Sequence, residues 1–513
     1  MKRLCRLLFS RYAVCAVTIL LEIFLFIFLF LKTAELYYIV FLSALILDIV
    51  LIVAIVNANV NPEYKVSWLM VITLLPFLGA LLFVLFYERR MTKKEIRLGR
   101  EIIQKLDTGG VYREEFAALG REDASAGGRA MAIMKDDPIA AVYSADEASY
   151  FPDGGSMYLS MLDDLRKAKK FIFLEYFIIE DGEMWSGIYE ILKEKARDGL
   201  TVRVLYDDIG CMKTLDSAFD KRLRCEGIDC RRFGRVTPKV STVHNNRDHR
   251  KICVIDAHIA YTGGINIADE YINKKERFGH WKDGGVRISG DAALGFVKLY
   301  LQNWNYNSGV CEDMTRFTKE KVEHRATKLR DEYFIPFGSG PAPIYPCSSG
   351  KQVFLNIIDQ AQHYVFITTP YLVIDFELTE SLRGAARRGV DVRIITPAIA
   401  DKKAVKVMTK SAYPYLLEAG VGIYEYTPGF IHEKLVVSDD LYSVVGSFNF
   451  DYRSLAHHFE CAVWMYSSRM AKITRDAFMD TVSKSRKMDL AASKLTLREL
   501  LLKSVMRFLS PLL

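Results

Sequence analysis

The sequence is poor in cysteine, and the cysteines it has form no pattern. Nine of them are scattered over 513 residues, with no CxxC pair and no cysteine–histidine cluster at the spacing of a zinc site. A disulfide framework or a structural zinc site would need such spacing. We therefore interpret these residues as reduced thiols of a protein that faces a cytosol.

The chain also lacks a strong excess of charge of either sign. Its net charge of +7 is small for the length, whereas a protein that binds nucleic acid would more naturally carry a dense basic stripe. A modest positive balance suits the surface of an anionic membrane. The composition therefore favours lipid over nucleic acid as a partner.

Long apolar stretches are present, and they lie at the N-terminus. Three of them, at roughly 12–31, 37–56 and 66–86, each have about the 20 residues that a helix needs to cross a bilayer. Basic residues precede the first stretch and follow the third, so both flanks favour the cytoplasmic side. Three full spans cannot place both flanks there, so one re-entrant or interfacial stretch and an exception to the charge rule are the alternatives. We predict a multi-pass anchor of two to three apolar helices over residues 1–90, in the cell membrane, with a cytoplasmic catalytic body.

Two blocks behind a charged helical linker at 91–136 resemble each other. The segment AKKFIFLEYF (168–177) is similar to AQHYVFITTPY (361–371), and ARDGLTVRVL (196–205) is similar to ARRGVDVRII (386–395). In the second pair a helix ends at glycine and an apolar strand follows. The order strand, helix, strand predicts α/β units with mixed β-sheets.

The repeat predicts two tandem α/β units, at 137–340 and 341–490. Behind them, basic residues alternate with leucines at near-helical spacing, which predicts an amphipathic helix at 491–513. A helix that lies on anionic lipid and a helix that packs against the body both fit this pattern.

Both units contain the pattern HxKxxxxD, followed after six residues by G-[GS]-x-N. The first copy consists of His249, Lys251, Asp256, Gly263, Gly264 and Asn266. The second consists of His432, Lys434, Asp439, Gly446, Ser447 and Asn449. Each residue of the second copy lies 183 positions after its counterpart. A single HxK is a weak signal, but two copies with identical spacing inside a repeated framework indicate a functional site.

Apolar runs on both sides of each motif aspartate predict a β-hairpin. A hairpin centred between Asp256 and Ala257 would place His249 opposite Gly264, and the second copy would behave in the same way. Residues two apart share a face of a strand, so histidine and lysine point the same way. We predict that the aspartates support the turn by bonding to backbone N–H groups. A direct catalytic role is the alternative.

These motifs resemble the phospholipase D superfamily, whose signature is this duplicated pattern. The apolar N-terminus and the segment NFDYRS (449–454) are similar to its branch of bacterial cardiolipin synthases. The resemblance implies phosphodiester exchange through a phosphohistidine, without a metal ion or cofactor, and it makes the two HxKxxxxD motifs the catalytic set. His249 is predicted as the nucleophile and His432 as the acid and base. The residues expected to hold the substrate phosphate are Lys251, Lys434, Asn266, Ser447 and Asn449.

Each histidine needs a partner on its second ring nitrogen. An acidic residue opens an apolar run downstream of each motif, and the resemblance implies an orienting carboxylate at about this point. We predict Asp283 for His249 and Glu460 for His432. The alternative for each is a carboxylate in solvent at a strand end.

The resemblance implies transfer of a phosphatidyl group between two phosphatidylglycerol molecules, which gives cardiolipin and glycerol. Transfer to another alcohol, hydrolysis of a phospholipid or nucleic acid, and a lipid-binding scaffold without activity are the alternatives. Two intact motifs argue against the scaffold. The sequence leaves the oligomeric state open.

Overall fold

The structure is a computed structural model. It describes residues 24, 34–58, 60–76, 78–86, 93–106, 113–235, 246–312, 314–318, 331–341, 344–345 and 347–509. The described residues form two compact units. One is made of segments within 1–90 and 504–509, and the other of segments within 93–235 and 246–503.

The first unit contains three apolar helices. They are α1 (Ala34–Asn57), α2 (Pro62–Leu74) and α3 (Leu78–Phe86). The stretch predicted as one helix at 66–86 is divided between α2 and α3 at Pro76, because proline has no N–H with which to continue the helical ladder. The prediction of a single helix there is wrong.

The predicted membrane spans are not confirmed by these helices. Within the described ranges, no helix combines the length and the apolarity that crossing a membrane requires. The stretch predicted at 37–56 lies inside α1. The stretch predicted at 12–31 lies outside the described residues, except for Phe24.

In the described part of the chain, three further helices lie between α3 and the first sheet. They are α4 (Lys93–Leu106), α5 (Arg113–Glu122) and α6 (Ala124–Asp136). Ile102 and Leu106 of α4 are fully buried in the main hydrophobic core. The segment expected to be a linker is therefore helical, and α4 packs against the core of the sheets that follow it.

The first sheet has seven strands in the order β1–β8–β6–β5–β2–β3–β4. Its strands are β1 (Glu147–Phe151), β2 (Phe171–Tyr176), β3 (Thr201–Asp207), β4 (Asp229–Phe233), β5 (Lys251–Ile255), β6 (Ile259–Gly263) and β8 (Gly285–Ser289). Strands β2, β3 and β4 are parallel, and the remaining pairings are antiparallel. The helices of the first α/β repeat are α7 (Gly154–Arg166), α8 (Glu183–Arg197), α9 (Phe219–Cys225), α10 (Ala293–Ser308) and α11 (Thr315–Thr318).

The second sheet has eight strands in the order β19–β13–β12–β10–β15–β16–β18–β9. Its strands are β9 (Tyr333–Ser339), β10 (Tyr364–Thr368), β12 (Asp391–Pro397), β13 (Gly422–Tyr426), β15 (Leu435–Ser438), β16 (Tyr442–Gly446), β18 (Glu460–Tyr466) and β19 (Ser485–Lys487). Its helices are α12 (Ser349–Gln360), α13 (Phe376–Arg387), α14 (Lys403–Leu417), α15 (Tyr452–Ala456) and α16 (Ser468–Ser483). Here β10, β12 and β13 are the parallel strands.

The two sheets repeat one topology, which confirms the prediction of tandem α/β units with mixed sheets. In both, the hairpin that carries the motif lies beside the first parallel strand, as β5 does beside β2 and β15 beside β10. One hydrophobic core contains Val254 and Val286 of the first sheet together with Val437 and Val463 of the second. The sheets therefore pack on each other. Strand β9 pairs with β18, so the second α/β repeat begins before residue 341.

Each motif hairpin forms as predicted, but its register differs by one residue. Ile255 pairs with Ile259 and Ser438 pairs with Tyr442, so the hairpins are centred on Ala257 and Asp440. In the first hairpin, Asp256 and Ala257 both have positive φ, and the N–H of His258 closes the turn onto Ile255. The turn therefore contains one residue more than predicted, His258, before β6 begins. The predicted register, with no extra residue, is wrong.

Two short pairings join the repeats directly. Strand β14 (Gly429–Ile431) runs parallel to β7 (His280–Lys282). An isolated parallel bridge joins Asp248 to Phe459. Each pairing ends immediately before a motif histidine on one chain segment and immediately before a buried carboxylate on the other.

The last described helix is α17 (Leu497–Leu509). It lies within the range 491–513 in which the basic and leucine spacing predicts a helix. Leu497, Leu501 and Val505 are more than half exposed. A separate pair of short strands is formed by β11 (Leu372–Val373) and β17 (Phe450–Asp451).

Candidate active site

The cross-repeat pairings bring both histidines to one buried location. The N–H of His249 donates to the carbonyl of Phe459 at 2.9 Å, and the N–H of His432 donates to the carbonyl of Lys282 at 2.7 Å. Both histidine side chains are buried. Each motif therefore begins at a histidine whose backbone N–H is hydrogen-bonded to the opposite repeat.

Each histidine bonds to the carboxylate of the other repeat. Nδ1 of His249 lies 2.9 Å from both oxygens of Glu460, and Nδ1 of His432 lies 2.7 Å from Oδ2 of Asp283. The predicted pairing of Asp283 with His249 and Glu460 with His432 is therefore wrong. The bridge at Phe459 and the pairing of β7 with β14 explain the exchange, because they place each carboxylate one residue beyond the opposite histidine's partner.

Glu460 is held by several donors. Besides His249, it accepts hydrogen bonds from the hydroxyls of Ser447 and Ser454. Burial acts to raise the pKa of this carboxyl, but the hydrogen bonds that it accepts favour its ionised form and hold the pKa below its ordinary value. An ionised carboxylate only accepts, so the Nδ1 of His249 carries the proton.

Burial and the neighbouring Lys251 ammonium lower the pKa of His249 well below its ordinary value. The ring is therefore a neutral imidazole whose proton is on Nδ1. Its Nε2 keeps an unshared electron pair, which is the form that a nucleophile or base requires.

His432 has a different surrounding. Asp283 accepts from His432 and from the N–H of Gly284. Burial raises the pKa of this carboxyl to about 6, although the charge of Lys434 opposes the rise. The rings of Tyr271 and Trp281 lie 5.6 and 5.7 Å from the His432 ring. The His432 ring thus lies beside two aromatic rings. Its carboxylate partner, Asp283, accepts fewer hydrogen bonds than Glu460 does.

Both motif lysines are buried at the same location. Each ammonium donates to the backbone carbonyl of its own motif histidine. Burial lowers the pKa of Lys251 to about 8 and that of Lys434 to about 7, and both lysines feel the charges of Asp283 and Glu460. Two cations and two carboxylates therefore share one small volume, which is suited to an anion between the lysines.

The motif aspartates do not lie among these groups. Asp256 accepts from the backbone N–H groups of Lys169, Lys170 and Phe171, at 2.8 to 2.9 Å. Asp439 does the same for Gln362, His363 and Tyr364. The prediction that these aspartates bond to backbone N–H groups is confirmed, although the donors lie at the start of the neighbouring strand.

Replacing Asp256 by alanine is expected to lower the free energy of unfolding by about 2–4 kcal/mol. Three N–H groups lose a charged acceptor, and alanine has no local hydrogen bond that would favour the positive φ of this position. Thermal unfolding of the full chain measures the change, and Asp256→Asn, which keeps one acceptor oxygen, should lie in between. An unchanged unfolding midpoint together with lost turnover in the folded protein would favour the catalytic alternative.

The residues of the G-[GS]-x-N segments lie beside the carboxylates. A Cβ on Gly264 would lie 2.1 Å from Oδ1 of Asp283, so this position needs glycine. Ser447, its counterpart, donates instead to Glu460. The hydroxyl predicted to hold phosphate is therefore engaged with a carboxylate.

The two asparagines differ in their contacts. Asn266 accepts from the N–H of Ile178 and donates to the hydroxyl of Tyr271. Oδ1 of Asn449 is buried and has no hydrogen-bond partner among the described residues. Their predicted contact with a substrate phosphate stays a prediction.

Sequence reasoning missed two residues at the site. Ser454 lies in the NFDYRS segment and bonds to Glu460 at 2.6 Å. Nδ1 of His458 lies 3.7 Å from Oε1 of Glu460. Neither belongs to the repeated pattern, and their proximity to His249 follows from the cross-repeat bridge, which has no spacing signature in the sequence.

Comparison with known proteins places both motifs within one family. The family described as "Cardiolipin synthase, PLD-like domain" matches residues 161–277 and 354–481, which contain both motifs. A second family, described as "Phospholipase D-nuclease N-terminal", matches residues 46–86.

Relatives of similar length extend the match. A cardiolipin synthase of Geobacillus thermodenitrificans is 31% identical, over 89% of this chain and 90% of that protein. An uncharacterized protein of Streptococcus mutans is 40% identical, over 84% of this chain and 92% of that protein. The structure of a phosphatidylserine synthase from Haemophilus influenzae has a TM-score of 0.57 at 16% identity, and the match covers 75% of this chain and 100% of that one. The last match concerns the fold alone.

Proposed function

We propose a reaction for this chain, which belongs to the family of cardiolipin synthases with phospholipase D-like domains. It transfers a phosphatidyl group from one phosphatidylglycerol to a hydroxyl of another, which gives cardiolipin and glycerol. The observation that carries the proposal is the pair of buried histidines, each bonded through Nδ1 to a carboxylate, with both motif lysines beside them.

In the first step, Nε2 of His249 attacks the phosphorus of phosphatidylglycerol. The bond between nitrogen and phosphorus forms, and the bond to the glycerol oxygen breaks. Burial and the ammonium groups of Lys434 and Lys251 lower the pKa of His432 well below its ordinary value, and the bound phosphate anion offsets this effect. His432 protonated on Nε2 then gives that proton to the leaving oxygen, so that glycerol leaves as a neutral alcohol. The phosphatidyl group is then held on His249.

In the second step, neutral His432 takes the proton of a hydroxyl on another phosphatidylglycerol. The oxygen attacks phosphorus, the bond to Nε2 of His249 breaks, and cardiolipin forms. His432 ends protonated and His249 ends neutral, so both groups return to their starting forms. Water in place of the lipid hydroxyl would give phosphatidic acid.

The lysines act on the non-bridging phosphate oxygens. Their ammonium groups are already oriented by the histidine carbonyls, so little reorganisation is needed as negative charge develops. A bound phosphate anion favours the protonated form of each lysine and offsets the effect of burial on the pKa.

The carboxylates support different roles for the two histidines. When phosphorus is bonded to Nε2, the His249 ring carries positive charge. Glu460, whose ionised form is favoured by the hydrogen bonds it accepts from His249 and two serine hydroxyls, is suited to stabilise that charge. Asp283 has fewer donors, and its partner His432 has to gain and lose a proton in each cycle.

Glu460→Gln is expected to reduce turnover by roughly 10²- to 10⁴-fold, with little effect on folding. The amide can donate to Nδ1, which would favour the tautomer that has its proton on Nε2 and so remove the nucleophile. Steady-state transfer of labelled phosphatidylglycerol measures the loss.

Glu433→Gln is the matched control for the loss of a buried carboxylate. Glu433 bonds to Tyr150 and Lys282 and to no histidine, so most activity should remain. Turnover of Glu460→Gln at the unmutated rate would exclude the proposed role of Glu460.

The pH dependence of kcat/KM should show a maximum on the acid side of neutrality, because the lowered pKa values of His432 and Lys434 both make activity fall as the pH rises. Asp283, which faces His432, Lys282, Lys251 and Lys434, has its pKa raised to about 6, so acidification below that value protonates the acceptor of His432. Lys434, which faces Asp283, Lys251, Glu460 and Asp451, has its pKa lowered to about 7, so alkaline pH removes its charge. The alkaline limit should move upward in kcat, because bound phosphate stabilises the ammonium. A profile flat from pH 5 to 9 would contradict this account.

Both substrates are bilayer lipids, so we infer that the body works at the cytoplasmic face of the cell membrane. Helix α1 leaves Val50, Val53 and Val56 more than half exposed, which favours an apolar environment for that helix. The exposed leucines of α17 offer a second apolar contact for a lipid surface.

The reaction is tested by supplying labelled phosphatidylglycerol to membranes that contain the protein, with and without His249→Ala. Labelled cardiolipin with the unmutated protein alone is the expected product. Phosphatidic acid instead would assign a hydrolase, an adduct with an added alcohol would assign another acceptor, and no product would leave a scaffold.

A further inference from the structure

His458 brings a third imidazole beside the His249–Glu460 pair. It lies between α15 and β18, two residues before Glu460. Its ring centroid lies 5.6 Å from that of His249. The reaction described above gives this side chain no task.

The Nδ1 atom of His458 is buried and has no hydrogen-bond partner among the described residues. It lies 3.7 Å from Oε1 of Glu460, which is longer than a hydrogen bond. A buried polar atom without a partner is unfavourable, and such atoms mark places where a water molecule, an ion or a ligand binds. The side chain is 13% exposed, so a small ligand can reach it.

Three potential ligand atoms converge at this point. One nitrogen of His249, one nitrogen of His458 and one oxygen of Glu460 all lie within 4.8 Å of one another. Two imidazoles and a carboxylate are a common ligand set for Zn²⁺ and related ions. Atoms bound tetrahedrally to one zinc at about 2.0–2.1 Å lie roughly 3.4 Å apart, so small side-chain shifts would close the site.

We propose that His249, His458 and Glu460 form an inhibitory site for a divalent transition metal ion, with Zn²⁺ as its representative. Both imidazoles bind through nitrogen and Glu460 binds through one oxygen. Solvent completes the coordination. The nearby ammonium of Lys251 opposes the cation, which makes the occupancy reversible.

Metal binding and catalysis exclude each other at His249. The metal takes the electron pair of Nδ1, the atom that otherwise carries the proton donated to Glu460. The single ring proton of the neutral imidazole then resides on Nε2, so no electron pair remains there to attack phosphorus. The Nδ1–H bond breaks and an Nε2–H bond forms by proton exchange with solvent, and removal of the metal reverses both changes.

The test uses the full chain in detergent, freed of metal by a chelator. Basal transfer without metal measures the proposed function by itself. ZnCl₂ is then titrated into the assay, and Co²⁺ is titrated separately, since its visible absorption reports bound nitrogen ligands without any turnover. The Co²⁺ measurement is independent of the proposed reaction.

His458→Gln is the informative variant and His457→Gln its matched control. His457 is the adjacent imidazole and is absent from the cluster of ligand atoms. We expect Zn²⁺ to inhibit the unmutated protein and His457→Gln alike, with recovery on adding chelator. His458→Gln should need at least roughly tenfold more Zn²⁺ to halve its own metal-free rate, and its Co²⁺ absorption should weaken to match.

Equal Zn²⁺ sensitivity of His458→Gln and the unmutated protein would overturn the inference, as would the absence of inhibition and of Co²⁺ absorption in the unmutated protein. If basal transfer itself is absent while the Co²⁺ spectrum depends on His458, the metal site stands and the proposed reaction fails.

Discussion

Replacing His249 by asparagine is expected to reduce phosphatidyl transfer by roughly 10⁵- to 10⁶-fold, a size typical of removing one member of a catalytic group that acts as a unit. Asparagine can still donate to Glu460, so the buried carboxylate keeps a partner and the fold should persist. What is lost is the electron pair on Nε2, for which the amide offers no replacement. The measurement is the rate at which labelled phosphatidylglycerol is converted to cardiolipin.

His363→Asn provides the control for this variant. His363 is an exposed histidine whose backbone N–H, unaffected by the substitution, bonds to Asp439. It should transfer lipid at the unmutated rate. Retention of more than about one hundredth of the activity in His249→Asn would contradict the assignment of the nucleophile.

Replacing His432 by asparagine should reduce transfer from phosphatidylglycerol to a similar extent, roughly 10⁴- to 10⁶-fold, but for a different reason. Nε2 of His249 remains able to attack, whereas the glycerol oxygen leaves as an unprotonated alkoxide and the acceptor hydroxyl keeps its proton. The loss should therefore depend on the leaving group.

A phosphatidyl ester whose leaving group departs without a proton separates the two variants. His432→Asn should release one equivalent of that group in a burst and then stop, because the phosphatidyl group stays on His249. His249→Asn should release none. A burst from His249→Asn and none from His432→Asn would reverse the two roles.

The repeated parts of this protein could be predicted because they are local. The motif spacing fixes which residues share a face of the hairpin, and Asp256 and Asp439 occupy turn positions with positive φ that this residue type tolerates. The turn's extra residue, His258, could not be read from the pattern, since the apolar alternation permits both registers.

The exchange of the carboxylates could not be predicted for a different reason. Asp283 follows the first motif in the chain, and nothing in its spacing indicates that β7 leaves its own sheet to pair with β14. The same holds for Glu460, which reaches His249 through the bridge between Asp248 and Phe459. Pairing between repeats depends on how two folded sheets pack, which is a property of their shared core.

The exchange has a functional consequence. Neither repeat contains a complete histidine–carboxylate pair, so each half of the reaction depends on both. In a repeat expressed alone, the carboxylate would lack the histidine of the other repeat to which it bonds. The histidine would lack the carboxylate that fixes its tautomer. This explains in physical terms why the two motifs occur together.

The central claim is that the transferred phosphatidyl group resides on His249. The direct measurement is to mix the unmutated protein with phosphatidylglycerol, stop the reaction in alkaline denaturant, in which a nitrogen–phosphorus bond survives, and locate the added mass by peptide mass spectrometry. The account predicts the phosphatidyl mass on the peptide that contains His249, and none on the peptide that contains His432. The adduct on His432, or full turnover with no adduct on either peptide, would contradict it.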